Sequence, residues 1–179
     1  MTTEYLFDRE VELVLRALTP ENRRVMQVSL HTGLRVSDVL ELRTEQVRKS
    51  ARFWVTERKT GKRRLIGLPK WLREELLEYA GEYWLFPHRT DPNKHRSRQA
   101  VWKDVKRAAA AFRLPQNVAP HSFRKVYAVD LLGKCGDLDK VKRNLNHGSM
   151  ETTLIYVMAA QLMQQRGSTK AARVGRRFR

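Results

Sequence analysis

Cysteine is almost absent from this chain of 179 residues, because Cys135 is the only one. A single thiol excludes an internal disulfide and a zinc site built from cysteines, and it fits a reducing compartment. The sequence also has no run of about 18 apolar residues, the length that a membrane span needs. Its first residues, MTTEYLFDRE, lack the basic segment followed by an apolar one that marks a secretory signal. We therefore expect a cytoplasmic protein that has no contact with membranes.

Acidic side chains are few relative to basic ones. The chain has 19 Asp and Glu against 36 Lys and Arg, which gives a formal net charge of +17. A compact fold with this charge repels itself unless a polyanion screens it, so nucleic acid is the first partner to consider. An enzyme that acts on acidic substrates is a weaker candidate. With 41% hydrophobic residues the chain can bury one core, and its length suggests one domain with a small appendage.

Apolar spacing and capping residues predict a mainly helical α+β fold with one small antiparallel sheet. Glycine suits the left-handed position after a helix, so a helix is expected to end at Gly33. The β-branched and aromatic residues on either side of the basic turn KTGK predict a β-hairpin over residues 52–68. Helices are predicted from a cap at Asp8 to about Leu18, from Glu21 to His31, from Ser37 to a polar turn at residues 43–45, from Pro69 to about Ala80, from a cap at Ser97, from near Ser122 to Gly133, from a cap at Asp137 through Leu145, and from a cap at Ser149.

Two polar segments lack apolar periodicity. Residues 88–97, HRTDPNKHRS, predict an exposed loop, and no plausible set of metal ligands joins His88 to His95. Residues 167–179 hold five basic residues and no acid, which indicates a flexible tail. We therefore expect residues 1–166 to form one domain and residues 167–179 to form a basic C-terminal tail.

Six residues of chemical interest follow one another in a defined order. Arg35 lies 24 residues before Lys59, and His121 lies three residues before Arg124. Arg124 in turn lies 23 residues before His147, which lies nine residues before Tyr156. A lone HxxR motif occurs by chance in basic helices, but the ordered set is a specific signal.

In these residues the sequence resembles the tyrosine recombinases, also called the phage integrase family, and specifically their catalytic domain. The likeness runs from roughly Thr19 to Val157. It implies the catalytic-domain fold of that family over residues 1–166. It also implies cleavage and rejoining of double-stranded DNA in site-specific recombination, through a 3′-phosphotyrosyl intermediate at Tyr156. The resemblance implies a bacterial, archaeal or phage origin. Because strand exchange needs two duplexes and four active sites, we expect a tetramer on DNA and a monomer in isolation.

Phosphoryl transfer to a tyrosine explains these residue types. A phosphodiester is an anion, and its pentacoordinate transition state carries more negative charge, which two guanidinium groups can neutralise without a metal. Arg35 and Arg124 are the candidates, and we expect neither metal nor cofactor. The Tyr156 hydroxyl has a reference pKa of about 10, so it needs a proton acceptor, and His121 could serve.

Two further roles come from the resemblance. It assigns His147 a hydrogen bond to a phosphate oxygen, and it assigns Lys59 the general acid that protonates the leaving 5′ oxygen. Lys62 is the rival lysine, because a small misalignment of the turn would exchange the two. Asp38, one helical turn after Arg35, is expected to orient that arginine or to cap the third helix.

The sequence departs from the family pattern in two places. Asn146 stands where the family more often has glycine, and asparagine tolerates a left-handed position. Family members usually carry a separate N-terminal helical domain that closes around DNA, and the few residues before Asp8 cannot form one. We therefore expect no such core-binding domain within this chain.

Two other functions remain open at this stage. A type IB topoisomerase uses a similar set of arginine, lysine, histidine and tyrosine to relax supercoiled DNA. A DNA-binding regulator that keeps the recombinase fold is the other alternative, although a binding module has no need of Tyr156.

Overall fold

The computed structural model describes residues 4–145 of the chain. Within that range α-helices accompany one two-stranded antiparallel sheet, which confirms the expected fold class. The elements are α1 (Asp8–Ala17), α2 (Pro20–Thr32), α3 (Val36–Leu40), α4 (Thr44–Lys49), β1 (Arg52–Thr56), β2 (Arg63–Gly67), α5 (Lys70–Glu78), α6 (Arg98–Ala111), α7 (Pro120–Cys135) and α8 (Leu138–Leu145). Predictions for the last helix, His147, Tyr156 and the basic tail lie outside the described residues.

The second helix is buried over most of its surface. α2 packs against α1, α3, α5, α6 and α7, so the other helices are arranged around it. Its side chains Val25, Met26 and Val28 have no exposed surface. Burial of each such side chain stabilises the fold by about 1.5–3 kcal/mol. This packing fixes the C-terminal end of α2, from which the chain enters the candidate site.

Gly33 ends α2, as the sequence predicts. Its φ of +68° is a left-handed conformation that side chains other than glycine rarely adopt, and its amide donates to the carbonyl oxygen of Ser29 at 2.8 Å. A Cβ atom at this position would lie only 2.3 Å from Cδ1 of Tyr127 on α7. The close approach of α2 and α7 therefore needs glycine for two reasons, and it places Arg35 directly before α3.

The predicted hairpin is confirmed, with β1 and β2 paired antiparallel. Alternate residues face the interior, so Phe53, Val55 and Ile66 are buried. The same alternation brings two charged residues to the inner face. Glu57 follows β1 and Arg64 lies on β2, and both are buried.

The fourth helix was not predicted. α4 (Thr44–Lys49) begins inside the polar turn predicted at residues 43–45 and continues beyond it, and it was missed because six residues are too few to show a clear apolar period. Its position is fixed by the Thr44 hydroxyl, which donates to the carbonyl oxygen of Gly81 at 2.6 Å, and by the buried side chain of Val47.

The predicted end of the seventh helix at Gly133 is wrong. α7 continues through Gly133 and ends before Gly136, whose φ is +63°. A glycine inside a helix costs about 1 kcal/mol relative to alanine, and the packing of α7 against α2 and α8 outweighs that cost. The predicted caps at Ser97 and Asp137 are confirmed: the Ser97 hydroxyl accepts from the amide of Ala100 at 3.1 Å, and the Asp137 carboxylate accepts from the amide of Lys140 at 3.0 Å. The predicted cap at Asp8 is wrong, because Phe7 holds the capping position and Asp8 is the first residue inside α1.

Candidate active site

A cavity of about 750 Å³ opens where α3, α6 and α7 begin. Three of the six residues singled out in the sequence line it, namely Arg35, His121 and Arg124. The opposite wall comes from the first turns of α6. The lining residues are Leu34, Arg35, Val36, Ser37, Arg98, Gln99, Trp102, Ala119, Pro120, His121 and Arg124.

Arg124 lies at the inner end of this cavity and is only 1% exposed. Its guanidinium donates to the carbonyl oxygen of Gly33 at 2.5 Å and to that of Leu145. Burial, followed by repulsion from Arg35, lowers the pKa of Arg124 to about 10, so the side chain remains cationic at neutral pH. Its Nε has no hydrogen-bond partner among the described residues. Arg124 is therefore a fixed positive charge that also joins three segments of the chain.

Arg35 reaches the same cavity from the turn before α3. Its Nη1 donates to a carboxylate oxygen of Glu57, and its side chain is 19% exposed. Asp38 lies farther away, with Oδ2 at 4.0 Å from the same nitrogen. The predicted role of Asp38 in orienting Arg35 is thus shared, and the contact with Glu57 is the closer one.

Glu57 belongs to a buried cluster of charges that the sequence analysis missed. Its side chain has no exposed surface, and Oε1 lies 3.7 Å from Nε of Arg64. Arg64 is also buried and donates to the carbonyl oxygen of Thr32 at 2.8 Å. Burial lowers the pKa of Arg64, and the charge of Glu57 opposes that shift. The alternation of the hairpin could have identified both residues, because Glu57 shares the inner face with Phe53 and Val55.

Asp38 connects the hairpin to α3. Its Oδ1 accepts from the backbone amide of Arg58 at 3.0 Å. Burial raises the pKa of Asp38, and the bond from Arg58 opposes that rise. The residue next to Lys59 is thus held against α3, the helix that follows Arg35.

Lys59 itself is exposed at the tip of the hairpin. The backbone of Glu57 closes this tip, since its amide donates to the carbonyl oxygen of Lys62 at 3.0 Å and its carbonyl accepts from Gly61 at 2.8 Å. Lys62 is exposed as well. Repulsion from Lys59 is the smallest of the four charge effects that lower the pKa of His121.

His121 lies in the first turn of α7, at the cavity. It is exposed over much of its surface, yet the surrounding protein desolvates its ring. Desolvation, followed by repulsion from Arg124, Lys125, Arg35 and Lys59, lowers the pKa of His121 to about 4. The imidazole is therefore neutral at physiological pH, which is the state that can accept a proton.

The structure therefore brings three of the predicted site residues, Arg35, His121 and Arg124, to one cavity, whereas Lys59 is exposed on the hairpin tip and does not line it. His147 and Tyr156 lie outside the described residues. Within residues 4–145, no group of three or more His, Cys, Asp or Glu side chains could hold a metal ion. In the same range no helix is both long and apolar enough to cross a bilayer.

Comparison with known proteins identifies the family. The phage integrase family model matches residues 4–162. The probable integrase/recombinase YoeC of Bacillus subtilis is 30% identical over 156 residues, which cover 83% of this chain and 84% of that protein. Tyrosine recombinase XerD of Bradyrhizobium diazoefficiens is 32% identical over 148 residues, which cover 74% of this chain and 46% of that protein. The chain thus spans about half the length of such XerD relatives.

A solved structure agrees with the sequence relatives. The XerH site-specific recombinase, bound to its palindromic difH substrate in a post-cleavage complex, superposes with a TM-score of 0.71 and 22% sequence identity. The match covers 94% of this chain and 53% of that chain. At this identity the likeness shows the fold. The chain therefore belongs to the phage integrase family, the tyrosine recombinases, and it has the fold of their catalytic domains.

Proposed function

We propose that this chain cleaves and rejoins DNA strands in site-specific recombination, with Tyr156 as the nucleophile. The observation that carries the proposal is the shared cavity of Arg35, His121 and Arg124. Family membership supports the same reaction, as does the DNA-bound, post-cleavage state of the XerH neighbour.

The two arginines bind the scissile phosphate. Arg124 enters the cavity from its inner end and Arg35 from the turn before α3, so guanidiniums from separate segments face one volume. A guanidinium can bind two phosphate oxygens in a fixed plane. Loss of one such donor costs about 3 kcal/mol of transition-state stabilisation, or about 10²-fold in rate. His147 adds a hydrogen bond to a phosphate oxygen.

The reaction exchanges one phosphorus–oxygen bond for another. The Tyr156 oxygen attacks phosphorus and forms a 3′-phosphotyrosyl link, while the bond to the 5′ oxygen breaks. The phenol proton passes to His121, whose lowered pKa keeps it neutral and able to accept at physiological pH. Lys59 gives a proton to the departing 5′ oxygen, and its exposed position on the hairpin tip lets it reach DNA. Attack of a DNA 5′ hydroxyl on the phosphotyrosine reverses these steps.

Double-stranded DNA is the partner that this chemistry requires. The formal charge of +17 favours binding to the phosphate backbone, and the exposed arginine and lysine side chains of residues 88–98 extend the basic surface beside the cavity. Recombination joins four strand ends, so four copies of the chain assemble on two duplexes, and the free protein is a monomer. Residues 1–166 form the catalytic domain, residues 167–179 are a basic tail, and the protein acts on DNA in the cytoplasm.

Trapping of the covalent intermediate tests this function. The protein is incubated with a library of nicked duplexes whose positions around the nick are randomised, so that the cleaved fragment diffuses away and the intermediate accumulates. We expect an adduct that resists SDS, is absent with Tyr156→Phe, and yields a defined DNA site when its DNA is sequenced. No adduct with any sequence, despite tight binding, would support a DNA-binding regulator instead. Relaxation of any supercoiled plasmid without recombinant products would support a topoisomerase.

A further inference from the structure

Glu57 lies closer to the cavity arginine Arg35 than Asp38 does, and none of its side chain is exposed. Removal of a charged carboxylate from water costs several kcal/mol unless partners compensate. The burial of Glu57 therefore requires compensating partners, and the contacts of its two carboxylate oxygens provide them.

Each oxygen of Glu57 faces a different guanidinium. Oε2 accepts from Nη1 of Arg35, and Oε1 lies 3.7 Å from Nε of Arg64. Arg64 is not among the residues that line the cavity, and it donates to the carbonyl oxygen of Thr32. The positive charge of Arg64 thus offsets part of the negative charge of Glu57 in the protein interior. Arg35 pairs with the same carboxylate and lines the cavity.

The backbone of Glu57 has a second connection to the site. It closes the turn that carries Lys59, through the bonds to Lys62 and Gly61 at 3.0 and 2.8 Å. Glu57 therefore links Arg35 to the hairpin tip. A shift of its side chain would move the guanidinium of Arg35, and a shift of its main chain would move Lys59.

We propose that Glu57 is a positioning residue for Arg35, which it holds by one edge so that the remaining donors face the phosphate. The inference rests on the proposed function, since it needs a phosphate in the cavity. Glu57 does not contact that phosphate, because both of its oxygens face guanidiniums and a carboxylate repels an anion. A displacement of about 1 Å at a reacting group can cost about 10²-fold in rate, so this hold has a large kinetic effect.

Simple charge balance is the competing explanation, and two substitutions separate it from positioning. Glu57→Gln keeps the size and one acceptor oxygen but removes the charge. Glu57→Asp keeps the charge but withdraws it by one methylene. Positioning predicts that both variants cleave slowly, whereas charge balance predicts a defect in Glu57→Gln alone. Glu45→Gln is the matched control, because it removes a carboxylate from an exposed pair with Lys49.

Single-turnover cleavage of the selected nicked site is measured for the full chain and each variant, together with DNA affinity. We expect Glu57→Gln and Glu57→Asp to cleave at least about tenfold more slowly than wild type, with affinity changed less than about threefold. A methylphosphonate at the scissile position lacks the negative charge of a phosphodiester, so its transition state needs one positive charge fewer from the protein. On it the defect should shrink to less than about threefold, since the lost contribution is that of Arg35.

A substrate with a 5′-bridging sulfur tests the other route. A thiolate leaves without a proton donor, so this substrate bypasses Lys59 but still needs Arg35. We expect the defects to persist on it. Their disappearance would overturn the proposal and place the effect of Glu57 on the hairpin tip, and cleavage by Glu57→Asp at the wild-type rate would overturn it in favour of charge balance.

One readout needs no DNA. The Nη–H resonances of Arg35, assigned by their loss in Arg35→Lys, should exchange with water more slowly in wild type than in either Glu57 variant, because Nη1 is the donor to Glu57. Equal exchange rates would contradict the inference even if Glu57→Gln folded poorly, because Glu57→Asp supplies the same comparison. Failure of wild type to form an adduct would instead count against the proposed function, so the two failures are distinguishable.

Discussion

The guanidinium of Arg124 donates a hydrogen bond of 2.5 Å to the carbonyl oxygen of Gly33, 91 residues earlier in the chain. Gly33 lies two residues before Arg35, and the second carbonyl that Arg124 contacts, that of Leu145, lies two residues before His147. One buried side chain thus ties together the three segments that hold most of the proposed site.

Arg124→Lys should damage both stability and cleavage. A lysine has one nitrogen and cannot reach two separate carbonyl oxygens in the plane of a guanidinium, so a buried acceptor loses its partner. We expect the free energy of unfolding to fall by about 1–3 kcal/mol in urea denaturation. Cleavage of the nicked site should slow by at least about 10²-fold. Arg16→Lys is the control, since Arg16 is exposed and pairs with the exposed Glu12 one turn away. An Arg124→Lys variant with normal cleavage would exclude Arg124 from phosphate binding.

Gly33→Ala should destabilise the protein more than Gly136→Ala does. Both glycines have positive φ, +68° and +63°, so each substitution costs about 1–2 kcal/mol in backbone strain. A Cβ at Gly33 also lies 2.3 Å from the ring of Tyr127, whereas a Cβ at Gly136 has nothing within 4 Å. Overpacking adds about 1–3 kcal/mol at Gly33 alone. Equal losses in urea denaturation of the two variants would contradict the close approach of α2 and α7.

The predicted helix ends at Gly33 and Gly133 show how far the sequence alone predicts the fold. The predicted helix end at Gly33 is confirmed, because glycine suits the left-handed position after a helix and Gly33 adopts it. Gly133 was assigned the same way and was wrong, because Gly136, only three residues later, takes the left-handed position. The sequence pattern does not reveal that the packing of α7 on α8 outweighs the cost of a glycine inside the helix. α4 escaped notice for a similar reason, since contacts with distant residues such as Gly81 fix so short a helix.

Lys59→Ala should slow cleavage of an ordinary phosphodiester by about 10²–10⁴-fold, the contribution typical of a general acid. The loss should largely vanish with a 5′-bridging sulfur, because the thiolate leaves without a proton. Lys62→Ala is the matched variant on the same exposed tip. We expect it to cleave both substrates within about threefold of wild type. The reverse result would make Lys62 the general acid.

The titration of His121 should report on the hairpin tip. Its C–H resonance, followed by NMR in the free protein, should titrate near the lowered pKa of about 4 rather than at 6.5. Lys59→Ala removes one of the cations that lower this pKa and should raise it. Lys62→Ala serves as the control, and an unchanged pKa in Lys59→Ala would indicate that the tip is turned away from α7.

The lowered pKa of His121 also determines how the free energy of unfolding changes with pH. As the pH falls below 6.5 the unfolded chain protonates His121 before the folded chain does, so the free energy of unfolding falls between about pH 6.5 and about pH 4. The contribution is complete above that range. In His121→Gln, this part of the pH dependence should disappear from urea denaturation curves, and an identical slope in both proteins would contradict a neutral His121.

The role of Glu57 was not predicted from the sequence. The order and spacing of the motif residues, through the family that they resemble, predicted Arg35, His121 and Arg124, and these three line one cavity. Glu57, in contrast, reads as one more charged residue near a hairpin tip, and most glutamates are solvated. Its position on the inner face of the hairpin was readable from the alternation of Phe53 and Val55, but its partner Arg35 is 22 residues away and only the fold reveals the pair.

The attachment point of DNA tests the central proposal most directly. Trypsin treatment of the trapped adduct, followed by mass spectrometry, should find the nucleotide on the peptide of residues 144–166, in which Tyr156 is the only tyrosine. We expect fragmentation to place a 3′-linked phosphate on the Tyr156 oxygen. A nucleotide on any other residue, or an adduct that persists in Tyr156→Phe, would contradict the account.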